Sequence, residues 1–132
     1  MNKKNSLITI FFILGMILII HFLIFIELIP YDKVWAGKLN SVEEMKSFEA
    51  FSILLNIFIL TILITKYKLL EKQKRNKTID ILIWVFAVFF ALNTLGNLFA
   101  KSKVELILGT FLTLTLSILS VIIVKKENEK AK

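Results

Sequence analysis

Four long apolar runs divide the chain, from Leu7 to Ile29, Phe48 to Thr65, Thr78 to Ala100 and Val104 to Val124. Each approaches or exceeds the roughly 20 residues that a helix needs to cross the ~30 Å hydrocarbon core of a bilayer. A helix is the element that such a run predicts, because it satisfies every backbone N–H and C=O within its own segment. The pattern therefore predicts an all-α, integral membrane four-helix bundle, a single transmembrane domain over residues 1–132.

The ends of the runs carry their own signals. Lys3 and Lys4 ahead of the first run imitate a signal peptide. Its apolar stretch outlasts the usual ~7 to 15 residues and no A-x-A-like site follows, which predicts a retained helix. Pro30 cannot continue that helix, and Tyr31 and Trp35 supply amphipathic rings suited to a headgroup region. Gly37 and Asn40 mark a loop. Ser41 and Glu44 have capping-box spacing, which starts the second helix near Val42 and places Val42, Met45, Glu49, Ser52 and Asn56 on one face. Tyr67 and Trp84 fit an aromatic belt at the opposite surface. Only about Lys101 to Lys103 separate the last two runs, so those helices must be antiparallel neighbours.

Basic residues decide the orientation. The segment before the first run holds two, the first loop three, the second loop six, the third loop two and the tail four. With the N-terminus, second loop and tail inside, 12 lie on the cytoplasmic face and 5 on the other. The positive-inside rule then predicts both termini in the cytoplasm. The net charge of +7 is thereby explained as topology, and no nucleic-acid module accompanies it. The second loop, Lys66 through Lys77, would also suit anionic headgroups. Asp80 suits the positive end of a helix dipole.

Composition narrows the chemistry. Of the 132 residues, 57% are apolar and 12 are Phe, and the mean hydropathy is +0.77. With no Cys, disulfides, thiolate catalysis and Cys-ligated metals are excluded. One His leaves no multi-histidine metal site within a subunit. Phosphate loops and H-E-x-x-H are absent, so no cofactor and no metal is expected.

The polar residues within the runs carry what remains. His21, Ser52, Asn56, Asn93 and Asn97 all fall on the outer side of their spans' midpoints, and Glu27, Glu49 and Glu105 lie near the outer ends. Glu49, Ser52 and Asn56 share a face of helix two, while Asn93 and Asn97 are i,i+4 on helix three. Facing stripes would make an outward-facing polar pocket, lined by His21, Glu49, Ser52, Asn56, Asn93, Asn97 and Glu105. Imidazole is the side chain that changes charge near neutral pH, which makes His21 a candidate proton carrier. Glu27 lies about 120° from His21 around an ideal helix, so the partner of His21 must come from another helix. The alternative is dry helix-to-helix hydrogen bonding by the same residues. Gly109, Thr113 and Ser117, at four-residue spacing, form a packing face, and Ala87 and Ala91 do the same on helix three. Trp84, Phe86, Phe89 and Phe90 read as core or lipid-facing surface.

Two stretches, V-W-A-G-K-L-N-S-V-E-E-M-K-S-F-E from Val34 to Glu49 and A-L-N-T-L-G-N-L-F-A from Ala91 to Ala100, resemble small, uncharacterised four-helix membrane proteins of bacteria. The resemblance spans nearly the whole chain and implies that the outer loop and the outer end of helix three belong to the feature defining that group. It transfers no catalytic residue. The small multidrug transporters share the helix number and length but place a carboxylate deep in helix one, where this chain has His21.

The expectation is a multi-pass protein of a bacterial plasma membrane that binds a partner protein or lipid through its bundle and outer loop, with membrane lipid and a possible homo-oligomer as partners. Two other readings stay open: a small oligomeric transporter or channel, and a membrane enzyme using the His21 region. In the Cys-free background, Asn40→Cys should react with a membrane-impermeant maleimide on intact cells. Protection there until the cells are permeabilised would reverse the topology.

Overall fold

A computed structural model describes residues 1–33 and 39–125. Trp35 and Gly37, expected in the first loop, and the charged tail beyond Lys125 lie outside the described residues. The chain forms α1 (Lys3–Phe25), a 3-10 turn (Tyr31–Lys33), α2 (Val42–Glu71), α3 (Lys77–Asn97), a π-helical segment (Glu105–Gly109) and α4 (Thr110–Val124). The π segment runs directly into α4. No strand occurs among the described residues. All four helices are long and apolar enough to cross a membrane, with the last counted from Glu105.

The caps explain where the helices depart from the apolar runs. Asn2 starts α1 at Lys3 by accepting a hydrogen bond from the Asn5 N–H at 2.8 Å. At its other end α1 stops at Phe25, ahead of the expected Ile29. There the Glu27 N–H donates to the Ile24 carbonyl and the Leu28 N–H to the Leu23 carbonyl, around Glu27 at φ 66°. This is a Schellman closure on a non-glycine residue, so a turn ends the helix before Pro30 is reached. The same pair of bonds, around Gln73 at φ 51°, ends α2. Ser41 starts α2 by accepting from the Glu44 N–H at 3.1 Å, and the Glu44 carboxylate reaches back to the Asn40 N–H at 2.9 Å. The capping box thus holds, shifted by one residue on its return bond. Asn76 caps α3 through the Thr78 and Ile79 N–H groups.

The helices pack in a ring, each against its neighbours in sequence, with α4 closing onto α1. The α3–α4 interface is the most extensive, as their short connection requires. For orientation within the molecule, the end bearing the α1–α2 and α3–α4 connections is called the upper end. The main core lies below it, built by Leu7, Ile10 and Leu14 of α1, Ile59 and Leu63 of α2, Ile83, Phe86 and Phe90 of α3, and Leu116, Leu119 and Ile123 of α4. A second, smaller cluster closes the upper end, where Ile24, Leu39 and Met45 pack with Ile29 and Tyr31.

The exterior is as apolar as the core. Phe12, Phe51, Leu54, Phe99, Val104 and Phe111 are all well exposed. Even in the most enclosed of the four spans only 33% of the most apolar stretch is buried inside the bundle. Soluble folds rarely expose contiguous apolar patches beyond a few hundred Å², so the many exposed large apolar side chains on all four helices suit a lipid-facing surface. The expected aromatic run divides accordingly, with Phe86 and Phe90 in the core and Trp84 on the outside.

The lower end is locked by an ion cluster. Lys66, counted as a loop cation in the sequence, lies within α2 with only 4% exposure. Its Nζ donates to Asp80 Oδ1 of α3 at 2.5 Å, and Arg75 Nε reaches Asp80 Oδ2 at 3.0 Å. Asp80 is therefore more than a helix-dipole residue, since it neutralises a buried ammonium. Removing one member of a buried pair costs about 3–5 kcal/mol because the other charge is left uncompensated. Asp80→Ala should lower the unfolding midpoint in detergent sharply, while the paired change Lys66→Met with Asp80→Leu should recover most of the loss. Equal losses in the single and paired variants would show that the ion pair does not set the stability of this end.

Candidate functional site

The upper half of the bundle collects polar side chains from all four helices. At a rise of 1.5 Å per residue, His21 stands roughly 25 Å above Lys4 on α1, Glu49 roughly 25 Å above Lys66 on α2, and Asn97 roughly 25 Å above Asp80 on α3. Three helices thus bring a polar residue to one level, and Thr110 heads α4 at the same end.

His21 and Glu49 form the centre of this layer. His21 Nδ1 and Glu49 Oε2 are 2.6 Å apart, joining α1 to α2 across 28 positions of sequence. The Glu49 side chain has no exposed surface and that of His21 is 24% exposed. Glu49 is buried because it continues the inward stripe of α2, which runs Met45, Glu49, Asn56, Ile59, Leu63 and Lys66. The contact meets the sequence requirement that His21 find its partner on another helix. A carboxylate on Nδ1 fixes the orientation of the ring and so of Nε2. Among the described residues the hydrogen bond of His21 goes to Glu49. No third His, Asp or Glu joins the pair as a metal ligand among the described residues.

Asn56 lies two turns below Glu49 on the same face. It is 6% exposed, and its Oδ1 has no hydrogen-bond partner. Thr110 Oγ1 is likewise buried without one. Such buried, unpaired acceptors are uncommon in folded proteins and cost about 1–3 kcal/mol each. Ser52, between Glu49 and Asn56, is half-buried.

The stripe expected on α3 divides. Asn97 turns toward α4, not α2, and its Nδ2 donates to Thr113 Oγ1 at 3.3 Å. Asn93 is exposed on the outer surface. At ~100° per residue Asn93 sits roughly 80° from the centre of the inward stripe of α3, whereas Thr94 lies near that centre. Thr94 is the residue that sequence reasoning missed. It is buried, its Oγ1 donates to the Phe90 carbonyl at 2.8 Å, and it meets Thr113 Oγ1 at 2.9 Å. The spacing Asp80, Ile83, Ala87, Phe90, Thr94 was the available signal. The two polar stripes therefore do not line one pocket. The α1–α2 pair and the α3–α4 hydrogen bonds are separate contacts at one level.

Gly109, Thr113 and Ser117 all face α3. Ser117 Oγ donates to the Ala87 carbonyl at 2.8 Å, and a Cβ on Gly109 would stand 2.9 Å from Asn97 Cγ. Glu105 begins the π segment, half-buried. Glu27 stays at the surface, paired with Lys46 at 2.9 Å.

No protein family, curated protein or solved structure matches the chain.

Gly109→Ala should force the Asn97 carboxamide off Thr113 and lower stability by about 1 kcal/mol, the worth of a typical hydrogen bond. Asn97→Ala in the same chain should cancel most of the added cost of the methyl group. Thermal unfolding of the two single variants and the double variant reads this directly, and simple additivity of the two losses would contradict the contact.

Proposed function

We propose that this chain is a multi-pass protein of a bacterial plasma membrane, with both termini in the cytoplasm, that acts by binding. Its partner is a membrane protein or lipid engaged through the bundle and the outer loop. The observation that carries this reading is the His21–Glu49 contact beneath the α1–α2 connection. The pair ties the two helices just below the loop, and above it Leu39, Ile29 and Tyr31 pack onto Ile24 and Met45. The Glu44 carboxylate holds the Asn40 N–H. The described ends of the loop therefore stand on a packed, hydrogen-bonded base, and preorganised contact residues lose less entropy when they engage a partner.

Support for non-catalytic action comes from the same site. Its imidazole is engaged by a buried carboxylate that joins α1 to α2, which gives the pair a role in holding the two helices together. A second reading, an oligomeric transporter or channel with an outward-facing polar cleft, draws on the unpaired Asn56 Oδ1 and Thr110 Oγ1. Water entering from outside would satisfy both atoms.

A photo-crosslinking residue at position 40 should give a discrete adduct in membranes, and His21→Ala or Glu49→Ala should weaken it by about tenfold, in line with the loss of a buried hydrogen-bonded contact. An adduct unchanged by both variants would sever the loop from the pair. Impermeant labelling of Asn56→Cys on intact cells separates the two readings: protection supports binding, and reaction supports a wet transport cleft.

A further inference from the structure

At the lower end, where α1 begins and α2 finishes, the two helices leave a cleft of about 310 Å³ lined by Asn2, Lys3, Lys4, Tyr67, Leu70 and Glu71. We infer that this cleft binds the phosphodiester headgroup of an anionic phospholipid from the cytoplasmic leaflet. The inference rests on the membrane reading above and narrows its lipid partner to one chemical class and one site.

The argument starts from the charges in the cleft. Lys4 Nζ lies 3.5 Å from Glu71 Oε1 and 5.3 Å from the centre of the Tyr67 ring. The carboxylate and the ring bias this exposed ammonium toward the cleft, which lessens the ordering a ligand must impose. Pairing with Lys4 also neutralises the one carboxylate of the cleft. Lys3 makes no ion pair among the described residues, and the first turn of α1 contributes the partial positive charge of a helix N-terminus. The balance is a small excess of positive charge, which matches a ligand carrying a single negative charge. A zwitterionic headgroup would bring an ammonium against Lys3 and Lys4 with no unspent carboxylate to receive it.

The surroundings suit a lipid better than a soluble phosphate. Leu70 gives the cleft an apolar wall, and Tyr67 packs on Phe11 at a centroid distance of 6.2 Å. From there the apolar outer surface of α1 continues upward through Ile8 and Phe12, both exposed. A phosphodiester seated between Lys3 and Lys4 would thus direct acyl chains along a greasy helix surface.

The test is native mass spectrometry of the full chain released from nanodiscs containing equal phosphatidylglycerol and phosphatidylethanolamine. Retained lipid should be enriched in phosphatidylglycerol, and Lys3→Gln with Lys4→Gln should reduce that enrichment on the order of tenfold, as expected for two basic residues at a membrane surface. The control Lys101→Gln with Lys103→Gln removes the same charge at the upper end and should leave it unchanged. Equal retention of both lipids, or equal loss in both variants, would overturn the site. Displacement by millimolar glycerol phosphate would assign the cleft to a soluble phosphate compound instead. Failure of the chain to enter nanodiscs would overturn the membrane reading itself, a result distinct from insertion without lipid preference.

Discussion

The constraint on which the rest of this structure depends is the apolar exterior of its four helices. In a bundle coated with Phe, Leu, Ile and Val, a polar side chain has no favourable place on the outer surface between the two ends. Most polar side chains turn inward to a partner on another helix or, like the exposed Thr61, bond a carbonyl of their own helix, and Asn93 is the exception left on the outside. The helix contacts follow from this. Lys66 meets Asp80, His21 meets Glu49, Thr94 meets Thr113, and Ser117 meets the Ala87 carbonyl. Each joins two helices, and together they cover three of the four neighbouring interfaces.

Three of these contacts occupy two levels with a large apolar core between them, and the Ser117–Ala87 bond lies within that core. The lower level is an ion cluster close to the loop that joins its two helices. The upper level is a shell of weaker and mixed contacts. Apolar packing between helices is permissive about sliding and rotation, whereas a charged or hydrogen-bonded contact accepts one alignment. Two polar levels separated by roughly 25 Å therefore set both the tilt and the rotation of α2 against its neighbours. The core supplies contact area, and the polar levels specify its arrangement.

The upper level is the less settled of the two. Thr110 buries an unpaired oxygen there and Asn56 another two turns below Glu49, and a π-helical segment interrupts the start of α4 beside Asn97 and Thr113. Irregular helix geometry and unmet hydrogen bonds together mark the end at which this bundle departs from optimal packing, the pattern expected where function and stability compete. The lower end departs differently, by leaving a cleft lined by Lys3, Lys4 and Tyr67. Both ends of α1 and α2 thus carry features beyond those that packing requires.

The sequence by itself determined the helices, because length, hydropathy and capping act within one segment. Four apolar runs, Ser41 with Glu44, and the short third connection were enough to place α2 at Val42 and to pair α3 with α4. It also predicted that His21 needs a partner from another helix, since Glu27 lies on the wrong face. What it did not determine was which faces meet. Asn93 and Asn97 share a helical face at four-residue spacing, yet the rotation of α3 exposes Asn93 and brings Thr94 and Asn97 to α4. Lys66, near the end of an apolar run, counted as a loop cation until the packing of α2 on α3 placed it beside Asp80. The physical reason is that an all-round apolar helix has little amphipathic signal from which its rotation can be read. Only the tertiary packing, by matching the few polar groups of each helix to those of the next, decides which way it turns.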